Sequence, residues 1–227
     1  MSAQPTATDT RAIVYPESDG QAMADNTVQF RWIVTLVGGL EALFRDRPDV
    51  FVAGDLLWYP VEGCPDLRVA PDALVVFGRP KGDRGSYMQW REDGVAPQVV
   101  FEVLSPGNRP LEMLRKLNFY QHYGVEEFYI YDPDAGELEG FVRDGDRLLP
   151  VEEMNGWASP RLGITFGVEG VDLVLTRPNG RRFASYLELE RERQEAQQQA
   201  EQERQRAERL AARLRALGVD PDEPGEE

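Results

Sequence analysis

The stretch from Pro97 to Tyr123 constrains the fold more than any other part of the sequence. Residues 98–104 form a nearly continuous run of apolar β-formers, which predicts a buried strand. Pro110 then opens an amphipathic segment that ends at Gly124, which predicts a helix with a glycine stop. Glu102 interrupts the apolar run, and an ionised side chain in a buried strand is costly unless it is paired or holds a metal. Glu102 is therefore a candidate functional residue.

A second carboxylate and a lysine accompany Glu102. The segment 68–77 predicts another strand, and this strand carries Asp72. Because alternate residues of a strand share a face, the two carboxylates can converge at a shared edge if the strands are neighbours. Lys116, one of only two lysines in the chain, lies on the helix that follows Glu102.

These residue types suit metal-dependent hydrolysis. Two carboxylates plus waters are a usual way to hold Mg²⁺, and a bound cation lowers the pKa of its water. A lysine beside two carboxylates stays cationic and can orient the attacking water or stabilise a pentavalent phosphate. We therefore predict a hydrolysis site formed by Asp72, Glu102 and Lys116. Glu112 and Tyr120 lie four residues on either side of the lysine and share its helix face.

The rest of the sequence predicts the mixture of helices and strands typical of an α/β (α+β) fold. A first helix is predicted over residues 27–45, with Asp25 or Asn26 as its N-cap, and Asn108 is a candidate N-cap for the second helix. Strands separated by tight turns predict an antiparallel meander. The meander strands are 127–132, 137–142 and 147–151, and further strands are predicted at 49–60, 162–166 and 171–175.

Composition limits the class of protein. The chain has 227 residues and a net charge of −15, which argues against strong nonspecific DNA binding but leaves room for a local basic patch. No apolar run reaches the ~20 residues of a membrane span, and the first residues lack the pattern of a secretory signal. The single cysteine, Cys64, excludes an internal disulfide and a CxxC zinc site. We interpret the chain as a soluble, cytoplasmic protein.

A loop rich in glycine and charge, residues 78–87, has three possible roles. It lacks the Gly-Lys-Ser/Thr ending of a phosphate-binding loop. It could instead be a mobile flap whose Arg79, Lys81, Arg84 and Tyr87 meet a phosphate backbone, or a plain solvated loop.

The C-terminal part has a different composition, rich in Glu, Gln, Arg, Ala and Leu. We predict a helix over 184–217, an acidic disordered tail over 218–227 and a disordered N-terminus over 1–12, which leaves 13–183 as the folded domain. Apolar residues of the helix recur at spacings of three and four, as in a coiled coil, although Arg193 and Glu203 fall on the same seam. A single solvated helix and a coiled-coil homodimer both remain open.

Four segments together resemble the Uma-two family of endonucleases, within the restriction-endonuclease-like PD-(D/E)xK superfamily. They are Ala70-Pro-Asp, Phe101-Glu-Val-Leu-Ser-Pro, Lys116-Leu-Asn-Phe-Tyr and Gly124-Val-Glu-Glu-Phe-Tyr-Ile-Tyr-Asp-Pro. The resemblance covers roughly residues 15–175. It implies a restriction-endonuclease-like mixed sheet flanked by helices and a nucleic-acid substrate, DNA in the first place. It also implies Mg²⁺ or Mn²⁺ bound by Asp72, Glu102 and the carbonyl of Val103.

The sequence departs from the superfamily pattern at one position. The lysine of the (D/E)xK motif falls at position 104, which is Leu104. The family resemblance implies that Lys116 has taken over this role, with Glu112 as the acid one turn before it. It also implies a polar residue from the first helix, either Asn26 or Gln29. His122 is interpreted as a surface residue at a helix end, since a lone imidazole has no visible metal-binding partner.

Two other functions remain possible. Glu102 and Lys116 could form a structural salt bridge, and Asp72 could cap the turn after Pro71. The chain would then be a catalytically inactive nuclease-fold interaction module that dimerises through its C-terminal helix. A hydrolase acting on a small phosphate compound is the third possibility, although no feature of the sequence selects a small substrate.

Overall fold

The computed structural model describes residues 13–20, 22–107 and 110–217. Asn108, proposed above as an N-cap, and the terminal segments 1–12 and 218–227 lie outside the described residues. The chain divides into two compact units, one that ends at Phe183 and one that begins at Ala184.

The first unit is built on a six-stranded mixed sheet, so the predicted mixed sheet flanked by helices is confirmed. The helices are α1 (Thr27–Leu43) and α2 (Pro110–Tyr123), with a short 3₁₀ helix at Gln89–Arg91. The strands are β1 (Val50–Ala53), β2 (Trp58–Tyr59), β3 (Ala73–Phe77), β4 (Tyr87–Met88), β5 (Val99–Val103), β6 (Glu127–Asp132), β7 (Glu137–Asp144), β8 (Arg147–Pro150), β9 (Thr165–Glu169) and β10 (Asp172–Thr176). The main sheet has the order β1-β3-β5-β6-β7-β8, and two further pairs, β2 with β4 and β9 with β10, form small separate sheets.

Strand β5 occupies the centre of the sheet between an antiparallel and a parallel neighbour. It pairs antiparallel with β3 and parallel with β6. A parallel pair needs a crossover, and α2 supplies it. The helix stops at Gly124, whose φ of 95° suits glycine and lets the N–H of Val125 bond to the carbonyl of Tyr120. The topology therefore fixes α2 over one face of β5.

Both faces of the sheet are covered, which explains why the apolar run in β5 is nearly continuous. On one face, Val99, Phe101 and Val103 join a core that also contains Ile33 and Leu36 of α1. On the other face, Val100 packs with residues of α2 in a second core. Glu102 belongs to this second face because strand residues alternate.

Two predictions about the strands were wrong. The predicted strand 49–60 is two strands, because the chain turns after Gly54 and Asp55 adopts a left-handed φ of 48°. Strand β2 pairs with β4 outside the main sheet. Asp72 lies just before β3 rather than within it, since the pairing of β3 with its neighbours begins at Ala73.

The antiparallel meander of β6, β7 and β8 is confirmed. The last hairpin is shifted along the chain, because Thr165 rather than Leu162 begins β9. Ser159 and Gly163 account for the shift: Ser159 Oγ accepts a hydrogen bond from the N–H of Leu162 at 2.9 Å, and Gly163 has a φ of 66°. These features turn the chain where a strand was expected.

The second unit contains the long helix α3 (Tyr186–Ala216). Ser185 caps its N-terminus and forms a capping box with Glu188, the arrangement that most directly starts a helix. No residue of α3 is buried. Within the described part of the chain, no helix combines the length and apolarity needed to cross a bilayer.

Candidate active site

The pairing of β3 with β5 brings Asp72 and Glu102 to the same place. Ala73 lies opposite Phe101, so the same antiparallel register continued by one residue sets Asp72 opposite Glu102. Asp72 Oδ2 accepts a hydrogen bond from the backbone N–H of Val103 at 2.6 Å. The aspartate is thereby fixed against the end of β5.

Glu102 is bonded through both carboxylate oxygens to α2. Lys116 Nζ lies 2.7 Å from Oε2, and the hydroxyl of Tyr120 donates to Oε1 at 2.5 Å. The two donors are four residues apart, so one face of the helix presents both to the strand. Glu102 is 2% exposed and Lys116 is 20% exposed, which leaves the lysine as the water-facing member of the pair. The ring of Tyr120 stacks on Trp58, whose centroid is 6.3 Å away.

Two carboxylates, Asp72 and Glu102, are buried at this site, and their burial shifts pKa values there. Burial and the repulsion of Glu102 raise the pKa of Asp72 to about 8, although the N–H of Val103 and the charge of Lys116 oppose the rise. Burial alone would lower the pKa of Lys116, but the attraction of Glu102, their hydrogen bond and Asp72 together raise it above its ordinary value. Lys116 is therefore a cation at neutral pH, and Asp72 holds its proton into the neutral range.

Gln29 is the residue of α1 that reaches this place. Its Nε2 donates to the carbonyl of Val103 at 2.8 Å, and its Oε1 accepts from the N–H of Asp25 at 2.8 Å. Asn26, the alternative from the same helix, instead caps α1 by accepting from the N–H groups of Val28 and Gln29. Of the two accessory residues predicted from the first helix, Gln29 is the one that contacts the candidate site.

Glu112 lies at the edge of the site. It is exposed, and it acts on Lys116 through charge alone by helping to raise the pKa of the lysine.

A third carboxylate, Asp55, was missed by the sequence analysis. Burial raises its pKa, as does repulsion from Asp19, whereas Lys116 lowers it. The N–H of Asp55 donates to the carbonyl of Pro71 at 3.1 Å, which ties the turn after β1 to the segment that carries Asp72. The sequence signal that could have identified Asp55 is its position: it follows the apolar run 50–53 and one glycine.

The acidic residues nonetheless do not form a three-carboxylate cluster. Among the residues that the structure describes, no group of three or more Asp, Glu, His or Cys side chains is arranged to hold a metal. The candidate oxygen donors at this place are Asp72, Glu102 and the carbonyl of Val103.

The basic side chains of the loop 78–87 are engaged within the domain. Arg84 pairs with Glu92 at 2.6 Å, and Arg79 pairs with Asp93. Lys81 Nζ donates to the carbonyl of Phe44 at 2.7 Å, and the buried Tyr87 donates to the carbonyl of Val95 at 2.7 Å. These contacts count against the mobile flap, one of the three roles left open above, because the four side chains already have partners within the domain.

His122 is exposed near the end of α2, where its ring contacts Tyr123 edge-on with a centroid distance of 4.6 Å. It contributes nothing to the candidate site.

Comparison with known proteins gives the family. Residues 15–172 match the Uma2 family, whose description is "putative restriction endonuclease". One solved structure, "a putative nuclease belonging to DUF820" from Anabaena variabilis, is 14% identical with a TM-score of 0.44; the similarity covers 59% of this chain and 73% of that one. A search of curated proteins finds no match. Because the family match spans most of the chain, this protein belongs to the Uma2 family of restriction-endonuclease-type proteins.

Proposed function

We propose that the chain is a metal-dependent endonuclease that hydrolyses phosphodiester bonds of nucleic acid, DNA in the first place. One observation carries the proposal: the β3–β5 register brings two buried carboxylates together, Asp72 directly before β3 and Glu102 in β5, beside a lysine held on the helix that connects β5 to β6. Membership of the Uma2 family supports the nuclease class.

The donor atoms fit a hard divalent cation. Asp72, Glu102 and the carbonyl of Val103 supply oxygen ligands, which Mg²⁺ and Mn²⁺ prefer. The raised pKa of Asp72 has burial and Glu102 as its main causes, and a nearby cation acts against both of them by favouring the ionised form. The cation would lower the pKa of a bound water and offset negative charge on a phosphoryl oxygen.

Lys116 has two tasks in this proposal. Its ammonium group pairs with the buried carboxylate of Glu102, with Nζ 2.7 Å from Oε2. Because it is the more exposed member of the pair, it can also orient the attacking water or stabilise the charge that develops on the phosphate. Tyr120 and Gln29 are positioning residues: the first fixes Glu102, and the second fixes the carbonyl of Val103.

The test is nicking of supercoiled plasmid DNA in the presence of Mg²⁺ or Mn²⁺ over a range of ionic strength. We expect Asp72→Asn, Glu102→Gln and Lys116→Met each to reduce the rate by about 100-fold or more. Glu127→Gln is the matched control, since Glu127 is a buried glutamate (1% exposed) at the opposite end of the parallel strand pair. A wild-type protein that cuts neither DNA nor RNA under any of these conditions refutes the endonuclease.

A second candidate function is an inactive nuclease-fold module that binds other proteins. The observation in its favour is that Lys116 and Tyr120 already engage both oxygens of Glu102, as a structural salt bridge would. Calorimetric titration with Mn²⁺ separates the two functions. Binding that disappears in Asp72→Asn supports the nuclease, and no binding by the wild-type protein supports the inactive module.

A further inference from the structure

Helix α3 leaves an apolar stripe exposed along its length. Tyr186 and Leu189 are 74% and 48% exposed near its start, and Leu210 and Leu214 are 51% and 39% exposed near its end. Between them the same stripe carries Ala196, Ala200 and Ala207, all of them exposed. The spacing of three and four residues is that of a two-helix seam, in which each apolar side chain packs against a facing helix.

The charges that border this stripe are sorted along the helix. Glu190 and Glu192 flank its first half, and Arg204 and Arg206 flank its second half. The residues that flank the middle, at positions 197 and 199, are uncharged glutamines. One end of the border is therefore negative and the other end positive.

The two charged residues on the stripe itself follow the same rule. Arg193 lies five residues before Gln198, and Glu203 lies five residues after it. On the stripe and its border between positions 190 and 206, the charge therefore changes sign on reflection through Gln198, whereas Glu188, Glu195, Glu201 and Glu208 lie outside the stripe and its border. A helix with this symmetry is complementary to a reversed copy of itself.

We infer that α3 pairs with α3 of a second copy of this chain in antiparallel orientation. In the register that we infer, Gln198 of one helix lies opposite Gln198 of the other. Arg193 of each copy then faces Glu203 of the other. Leu189 faces Ala207, and Tyr186 faces Leu210. At the border, Glu190 meets Arg204 of the other copy, and Glu192 meets Arg206.

A parallel pair lacks this complementarity. It brings Arg193 against Arg193 and Glu203 against Glu203 within the seam, and like charges facing each other in a coiled-coil core are destabilising. Its border contacts between the copies pair Glu192 with Gln197 and Gln199 with Arg204. Each contact joins one charged and one uncharged residue, so it contributes little to stability. The charges therefore favour a second copy of α3 as the partner of the stripe, in antiparallel orientation.

Ion pairs within α3 oppose the dimer only weakly. Arg193 bonds to Glu190 at 2.7 Å, and Arg204 lies 3.1 Å from Glu201. Each of these side chains is between about a third and two thirds exposed, and exposed pairs contribute little to stability. Exchange of these pairs for contacts between copies costs little, so the burial of the apolar stripe decides the outcome.

Cysteine cross-linking of the full chain tests the direction. The background is Cys64→Ser, because Cys64 is an exposed thiol. Leu189→Cys and Ala207→Cys are made as separate single variants and oxidised alone or as an equimolar mixture. The antiparallel pair gives a covalent dimer only in the mixture, whereas a parallel pair gives one from each variant alone.

Two other results overturn the inference. Efficient cross-linking of Leu189→Cys to Leu214→Cys, in place of Ala207→Cys, shifts the register by one heptad and removes the layer of Arg193 and Glu203. A chain that sediments as a monomer at every concentration, with no covalent dimer in any mixture, shows that α3 is a single solvated helix.

Charge reversal gives an independent readout by sedimentation equilibrium. Glu190→Arg with Glu192→Arg should raise the dimer dissociation constant by about tenfold or more, since four attractive contacts per dimer become repulsive. Reversal of Arg204 and Arg206 to Glu in the same chain should restore the wild-type value. Circular dichroism checks that each variant keeps its helix. These tests measure mass, so they succeed or fail independently of nuclease activity.

Discussion

The ion pair between Lys116 and Glu102 makes the clearest prediction about stability. Lys116→Met keeps most of the side-chain volume but leaves Glu102, which is 2% exposed, with Tyr120 as its only partner from α2. Breaking a buried ion pair by removing one partner costs about 3–5 kcal/mol, and the partial exposure of the lysine places this site at about 3 kcal/mol. The site therefore predicts a large loss in the free energy of unfolding.

Urea denaturation followed by tryptophan fluorescence measures this loss, because Trp58 is fully buried and stacks on Tyr120. The double variant Lys116→Met/Glu102→Gln should recover to within about 1 kcal/mol of the wild type, since no unpaired charge remains. Lys81→Met is the matched control. This second lysine is exposed and donates to two backbone carbonyls, so its loss should cost about 1 kcal/mol. A cost below about 1 kcal/mol for Lys116→Met, or additive effects in the double variant, refutes the reasoning.

Three further predictions follow from single contacts. The pKa of Asp72 is raised to about 8 in the folded state, so the unfolded chain loses this proton at lower pH than the folded chain does. The wild-type protein should therefore lose stability as pH rises from about 4 to about 8. Denaturation curves of Asp72→Asn across this range should lack this pH-dependent loss. Gln29→Met removes the hydrogen bonds to Val103 and Asp25 and should lower the free energy of unfolding by about 1–3 kcal/mol in urea, with an unchanged value counting against these bonds. Ser159→Ala should cost a similar amount and leave any cleavage rate unchanged, because its partner Glu127 lies at the end of the β5–β6 strand pair opposite to Glu102.

The sequence predicted the central elements because their signals are local. A nearly continuous apolar run identifies β5, and Pro110 with Gly124 marks the limits of α2 almost to the residue. Alternation along the strand separates Glu102 from Phe101 and Val103, and α2 covers the face on which Glu102 lies. These features depend on neighbours in the chain, so one sequence is enough to predict them.

The errors occurred where contacts between distant segments decide the conformation. Asp55 adopts a left-handed φ and bonds to Pro71, which lies outside the segment 49–60, and the only local signal of that break is the pair Gly54-Asp55. The flap role of the loop 78–87 stayed open for the same reason, because Asp93 and Glu92, the partners of its arginines, lie 14 and 8 residues further along the chain. Tertiary pairing overrides local propensity in both cases.

Asp72 is the residue that distinguishes the two interpretations of the Glu102–Lys116 pair, a functional site and a structural salt bridge. A bridge that fastens the sheet to α2 needs only Glu102 and Lys116. A second carboxylate buried beside them adds repulsion and desolvation, as the raised pKa of Asp72 records. Such a residue lowers stability, and buried groups of this kind are concentrated at sites where function offsets the cost. At pH 8, without divalent cations, Asp72→Asn should therefore be more stable than the wild type, since the amide oxygen can still accept the N–H of Val103 without a charge. A variant that is less stable than the wild type under these conditions would show that Asp72 serves the fold.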